Sequence, residues 1–392
     1  VFDIFYAGVV NDMFKKVLIL SASAGAGHTR AAQAVERAFI EMGEAEEVRH
    51  VDALEYTTKI FKAIASKAYI DLVNKAPHML GWFYDVMDKP WKNERFMLAI
   101  DMLNTQPLVR LINKYQPALA VCTHFTPADM ISWLKEKKTL TCPLAVVVTD
   151  FDIHANWLCR YCDRYFVALD ETGVHLEKLG IPADRITVSG IPVDPVFARR
   201  KDKATMRRKH GLREDRTTIL LSAGGFGVGP VENLITALLD LQHEAQIVAV
   251  CGKSEELKRK LENLAGRVPA GHRVTVRVVG YTTDMDEYMA AADMLVGKTG
   301  GLTTSEALAR DLIMVVVNPI PGQEERNADH LLEEGAALRC NNLPAIAFKI
   351  DRLLDDPARM AAMKQNIRRI ARPRAAYDIV STLLQLKSAA QR

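Results

Sequence analysis

Twice in this sequence an apolar, strand-like run feeds a glycine-rich turn that opens a helix. The first run, 16–21, leads into SASAGAGH ending at His28; the second, 217–222, leads into SAGGFGVG ending at Gly229. A strand, a turn and a crossover helix are the unit from which parallel sheets are built, and the repeat predicts two such sheets in succession. The remaining runs fit that plan. In the first half strands are expected at 47–51, 118–123, 144–149, 164–168 and 186–189; in the second, at 246–251, 274–279, 294–297 and 313–317. A chain of 392 residues is too long for one ordinary core and suits two.

The join is expected after the stretch Gly190 to Pro195, where Pro192 and Pro195 interrupt any regular element, giving halves of 13–195 and 196–356. Residues 357–392 read as helices, with Asp356 as an N-cap and Pro357 in the first turn, returning toward the first half. Met13 runs straight into the first strand, so 1–12 is expected to be an extension without a role. The segment 56–114 exceeds one crossover. Its Trp82, Phe83, Tyr84 and Trp91 sit among lysines, a pattern of a helical segment at a lipid interface or of an aromatic-rich subdomain.

Composition excludes several classes. With 49% hydrophobic and 25% charged residues the chain is a folded one. No stretch approaches the roughly 20 apolar residues of a spanning helix, and no secretory leader is read, so the expectation is a cytoplasmic protein. Six scattered cysteines read as reduced thiols; Cys159 and Cys162 have CxxC spacing but no matching second pair. A net charge of +3 argues against nucleic-acid binding. Nine Lys/Arg fall between Arg199 and Arg216, either a solvated helix face or a contact for anionic headgroups.

The turns carry the chemistry. Gly25 and Gly27 allow a ligand close to backbone N–H groups at a helix start, and His28 faces the crevice at the strand ends, as a surface histidine or as a general base near neutral pH. Gly225 and Gly227 form a second such turn; it lacks the ending of a P-loop, yet can cradle phosphates. Asp150 and Asp152 form a DxD triplet, a short match that arises often by chance.

From Gly280 the sequence reads GYTTDM, then ADMLVGKTGGLTTSEA through Glu306, then PIPGQEERNAD to Asp329. With the AGH turn, Thr149-Asp-Phe, His154 and Trp157, and Gly190-Ile-Pro, these motifs resemble the family 28 glycosyltransferases of the GT-B fold. Within it they are similar to the branch of monogalactosyldiacylglycerol synthases and processive diacylglycerol glucosyltransferases, over nearly the whole chain from Met13. The resemblance implies an α/β protein of two Rossmann-like domains with the active site in the cleft between them, the first half binding acceptor and the second UDP-hexose. It implies that Tyr281 and Thr282 read the uracil, Glu306 the ribose hydroxyls, and Gln323 and Glu324 the hexose. Gly300, Gly301 and Thr303, with Gly225 and Gly227, would meet the diphosphate. The acceptor side would hold Gly25, Gly27, Trp82, Phe83, His154 and Trp157. His28 would be the base in an inverting displacement, with Asp150 its rival or orienting partner, and neither metal nor further cofactor would be needed. The partners implied are UDP-hexose, diacylglycerol and the anionic cytoplasmic face of a membrane, bound peripherally.

Three rivals stand beside this reading. A polyprenyl-linked peptidoglycan precursor would be the acceptor of a sister branch, which more usually carries paired glutamines where this chain has Gln323-Glu324. A UDP-sugar epimerase or hydrolase would need no lipid segment, and a non-catalytic binding subunit would not need His28, Glu306 and Gln323 together.

Overall fold

The structure is a computed structural model that describes residues 13–23, 25–57, 88, 106–222 and 231–390. The calls on Trp82, Phe83, Gly225 and Gly227, like Tyr84, Trp91 and 1–12, lie outside the described residues.

Two parallel sheets follow one another along the chain. In the first, β1 (Phe14–Ser21) lies between β2 (Ala45–Asp52) and β3 (Leu119–Cys122), followed outward by β4 (Leu144–Val147), β5 (Arg164–Val167) and β6 (Ile186–Val188). In the second, β7 (Thr217–Ser222) is flanked on one side by β8 (Ala245–Val250) and β9 (Val274–Val279). On the other side run β10 (Met294–Gly297), β11 (Ile313–Val316) and β12 (Ala337–Arg339). The central strands are continuous apolar runs because helices cover both faces: Val17 to Leu20 and Ile313 to Val316 are all fully buried. All the expected strands are present; β12, only three residues long, was not expected.

In each sheet the strand order reverses beside the first strand, between β1 and β3 and between β7 and β10. A crevice opens at the carboxyl ends of strands at such a point, because the following helices depart to opposite faces. The two crevices face one another. α1 (Ala26–Met42) leaves the turn after β1; α2 (Gly301–Ala309) leaves the turn after β10; α3 (Gln323–Glu333) follows β11.

The chain's last helix, α4 (Ala375–Ala390), returns to the first sheet. Its Ala376, Ile379, Val380 and Leu383 share a core with Phe14, Val17, Ile19, Val35 and Phe39. Asp356 caps the helix before it, accepting from the Arg359 N–H at 2.9 Å. The second core in turn takes in Phe151, Ala168, Ile191 and Val193 from the first half, so apolar packing crosses the join.

The structure bears on two other expectations. The end of segment 56–114 contributes a helix, Gln106–Tyr115, whose Leu108 and Ile112 are fully buried in the first core. The basic run 199–216 is paired from within: Lys201 with Asp286, Lys203 and Arg207 with Asp293, Lys209 with Glu287, Arg208 with Glu214, Arg213 with Asp215. Those cations are committed to acidic partners, which favours the helix-face reading over a headgroup contact. The six cysteines are free thiols and buried, and burial pushes the Cys162 thiol up to about 12.

If α4 is part of the first core, Ile379→Ala should cost about 3 kcal/mol in urea unfolding, the penalty of a buried cavity. A loss under about 1 kcal/mol would mean that the helix only decorates the surface.

Candidate active site

The first turn is held by β2. The Asp52 carboxylate, at the end of that strand, accepts from the backbone N–H groups of Ser23 and Leu54, both at 3.0 Å. This fixes where α1 begins. Gly25 is its N-cap and offers no side-chain hydrogen bond, leaving the first N–H groups of the helix for a ligand.

His28 sits in the first turn of α1, half-buried. Its Nδ1 lies 2.9 Å from the Thr123 carbonyl and 2.9 Å from the Thr149 hydroxyl. A carbonyl only accepts, so Nδ1 carries the proton and Nε2 keeps the lone pair. Nε2 has no hydrogen-bond partner among the described residues. The Thr123 hydroxyl donates to the His28 carbonyl at 2.8 Å, so Thr123 grips both ends of this residue. His124 stands edge-on to the His28 ring at 4.7 Å, and Trp157 lies 6.2 Å away. Burial lowers the His28 pKa to about 4, against the Thr123 hydrogen bond, which raises it. The sequence pointed to a base poised near neutrality; the structure gives a neutral imidazole across the physiological range.

Asp150 is not its orienting partner. That task falls to Thr123 and Thr149, whereas Asp150 is bonded by Asn327, 3.4 Å away, and by Gln323. Burial raises the Asp150 pKa to about 6, and the two amides pull the other way. Asp152, the other half of the triplet, pairs with Arg326 at 2.8 Å, and Arg326 also approaches Asp88 at 3.5 Å. The two carboxylates therefore have separate partners. His154 and Trp157 are buried: the His154 Nδ1 accepts from the Asn156 N–H at 3.1 Å, and Trp157 packs beside His28 and Phe125.

The second half brings two more helix N-termini. Gly300 caps α2 without a side-chain bond. A Cβ on Gly301 would stand 2.1 Å from the Thr149 carbonyl oxygen, so only glycine lets α2 press on the first half here. Thr303 is half-buried in the same first turn. Opposite, a Cβ on Gly27 would touch Leu302 at 4.0 Å, so α1 and α2 begin side by side. Gly322 starts α3 at φ 90°, a conformation that favours glycine, and Gln323 and Glu324 follow. Glu324 braces the loop, accepting from the Ile320 N–H at 2.7 Å, while its carbonyl accepts from Thr299 at 2.5 Å. The starts of α1 and α2, uncapped and side by side, form a cradle for an anion, and α3 begins beside them with its Glu324 carboxyl near Gly300.

Glu306, on α2, is 1% exposed in its side chain. One oxygen pairs with Arg30 of α1; the other is buried with no hydrogen-bond partner among the described residues. Burial raises its pKa to about 7, against the lowering by Arg30. Tyr281 is 65% exposed, an open ring at the carboxyl end of β9 with the Lys253 ammonium 5.4 Å from its centroid. Thr282 beside it accepts from the Asp284 N–H at 3.0 Å.

Sequence reasoning missed four residues that assemble this site. Asn327, fully buried, donates to the Thr299 carbonyl at 2.9 Å and accepts from the Phe151 N–H at 2.9 Å, tying the two halves together. Thr123 and His124 hold His28, and Arg30 holds Glu306. Only Asn327 lay in a quoted motif, three residues after Glu324.

Comparison with known proteins follows the same lines. Residues 28–193 match the family described as monogalactosyldiacylglycerol (MGDG) synthase, and 202–370 match glycosyl transferases group 1. The chain is 32% identical over 375 residues to the processive diacylglycerol beta-glucosyltransferase of Staphylococcus saprophyticus, covering 95% of this chain and 93% of that one. Among solved structures, MurG of Acinetobacter baumannii shares the fold at a TM-score of 0.60 and 18% identity, covering 95% and 99%. MnaA of S. aureus, solved with UDP, shares it at 0.61 and 13%, covering 94% and 96%.

The two candidate bases separate by pH. The base must be deprotonated, so the rate falls as pH drops through its pKa. With donor saturating, His28 as base gives kcat/KM for the acceptor an acid limb near pH 4, whereas Asp150 gives one near pH 6. Asp150→Asn should leave the limb unmoved if His28 serves, and should abolish it with most of the activity if Asp150 does.

Proposed function

The chain belongs to the diacylglycerol glycosyltransferase family of the monogalactosyldiacylglycerol synthases and processive diacylglycerol glucosyltransferases, and from that premise we propose its reaction and the residues that perform it. It transfers a hexose, glucose or galactose, from UDP-hexose to 1,2-diacylglycerol with inversion, giving a β-glycosyl diacylglycerol. The observation that carries this reading is an imidazole whose Nε2 has no partner among the described residues, at the start of α1 beside the uncapped N-terminus of α2.

The acceptor half is 13–195, the donor half 196–356, and 357–392 straps the second back to the first. Tyr281 and Thr282 take the uracil; Glu306 takes the ribose hydroxyls; Gly300, Gly301 and Thr303 take the diphosphate. Gln323 and Glu324 take the hexose, and the bond between Gln323 and Asp150 supports a sugar held against the first half. His28 accepts the proton of the acceptor hydroxyl as its oxygen attacks the anomeric carbon. The electron pair of the broken bond leaves with UDP, whose growing charge the helix N-termini stabilise without a divalent ion. Asp150 is the second candidate base because its pKa lies nearer the working range and it is bonded to Gln323.

Among the described residues no helix is long and apolar enough to cross a membrane. Diacylglycerol is met in the bilayer, which supports peripheral docking at its cytoplasmic face, with the part of 56–114 before Gln106 supplying the lipid contact. A polyprenyl-linked acceptor or an epimerase reaction draws support from fold likeness alone, which does not carry function.

The test mixes purified protein, diacylglycerol in anionic liposomes, each UDP-sugar in turn, and EDTA. Glycolipid of β configuration should form from UDP-glucose or UDP-galactose despite EDTA. Release of UDP or free sugar without glycolipid would overturn the acceptor assignment.

A further inference from the structure

Glu306 is a half-satisfied buried carboxylate: Arg30 holds one oxygen from the other domain, and the second oxygen is sealed. Such a group is costly. The neighbouring acids that face it have cations of their own. Asp194 pairs with Arg37, and Asp286 with Lys201 and Arg310. Arg30 is thus the cation that answers Glu306, and it is much less enclosed than its partner, 42% against 1% exposed.

Arg30 also stands close to the anion cradle. Glu306 lies five residues along α2 from Gly301, about 7.5 Å at the rise of a helix, within the swing of an arginine side chain. The N-termini of α1 and α2 meet there, Gly27 against Leu302, both without side-chain caps.

We propose that Arg30 is a donor-binding residue that exchanges partners, passing from Glu306 to the diphosphate while the ribose hydroxyls take its place on the carboxylate. This rests on the UDP-hexose reading above. The exchange conserves charge and satisfies every group: the guanidinium moves between anions, and both Glu306 oxygens gain hydroxyl donors. Arginine suits the new site because its planar fork matches phosphate oxygens. As the acceptor oxygen bonds to the anomeric carbon, the carbon–diphosphate bond breaks and its electron pair leaves on UDP, and the alcohol proton goes to the base. The charge beside Arg30 grows during this step, so its interaction is stronger in the transition state than in the bound donor.

Calorimetric titration of UDP and of uridine separates the possibilities, with thermal unfolding to verify that each variant is folded. Arg30→Gln should bind UDP roughly tenfold more weakly, while uridine binding holds or tightens as Glu306 is released. Arg30→Lys should recover part of the UDP affinity, and it carries the test should the glutamine variant fail to fold. Unchanged or tighter UDP binding in Arg30→Gln would make Arg30 a mere plug and overturn the proposal. An equal loss for UDP and uridine would overturn it too, since Arg30 would then act on Glu306 alone. Glu306→Gln, expected to weaken both ligands, tests the premise: if it weakens neither, the ribose reading itself fails.

Discussion

The site depends on one close approach, the N-terminus of α2 against the Thr149 carbonyl. No side chain fits between them at Gly301. Thr149 also reaches His28 through its hydroxyl, so a single residue of the first half touches both the candidate base and the start of the donor helix. Asn327 locks the same junction from the other side, bonded to Thr299 in one half and to Phe151 in the other. The geometry of a bond formed between an acceptor held by one domain and a sugar held by the other is set here. Small displacements matter at such a junction, because reacting groups must lie within a few tenths of an ångström of a productive arrangement.

Closure also sets the electrostatics. Excluding water shifts each ionisable group toward its neutral form, so His28 is held unprotonated and Asp150 and Glu306 are drawn upward. The same exclusion strengthens the attraction of helix N-termini for a departing diphosphate. Arg30 answers the buried Glu306 carboxylate with a cation from the other half.

Much of the fold was legible because its signals are local. Strand runs such as Thr217–Ser222 and Val274–Val279 stand out as short runs of apolar and β-branched residues, and their residues alone settle them. β12 was not legible, since three residues between a helix and a loop carry no periodicity. In the site, the glycines and His28 were readable from the turn chemistry, and Glu306, Gln323 and Glu324 from ordered motifs. What could not be read was pairing across the chain. Arg30 finds Glu306 over 276 positions and Asn327 finds Asp150 over 177, contacts that only the folded halves create. The environment of His28 was hidden for the same reason: its depressed pKa comes from burial among elements far apart in the chain, not from its place in the turn.

The central claim is that the two halves make one site through the contact at Gly301. Gly301→Ala tests it most directly, because the added methyl must push α2 from Thr149 by about 1 Å, a shift worth roughly 100-fold in rate. The account predicts that kcat/KM for glycolipid formation falls by about that factor in a protein that stays folded, its urea midpoint lowered by the overpacking. Transfer at the wild-type rate by a folded Gly301→Ala protein would contradict it.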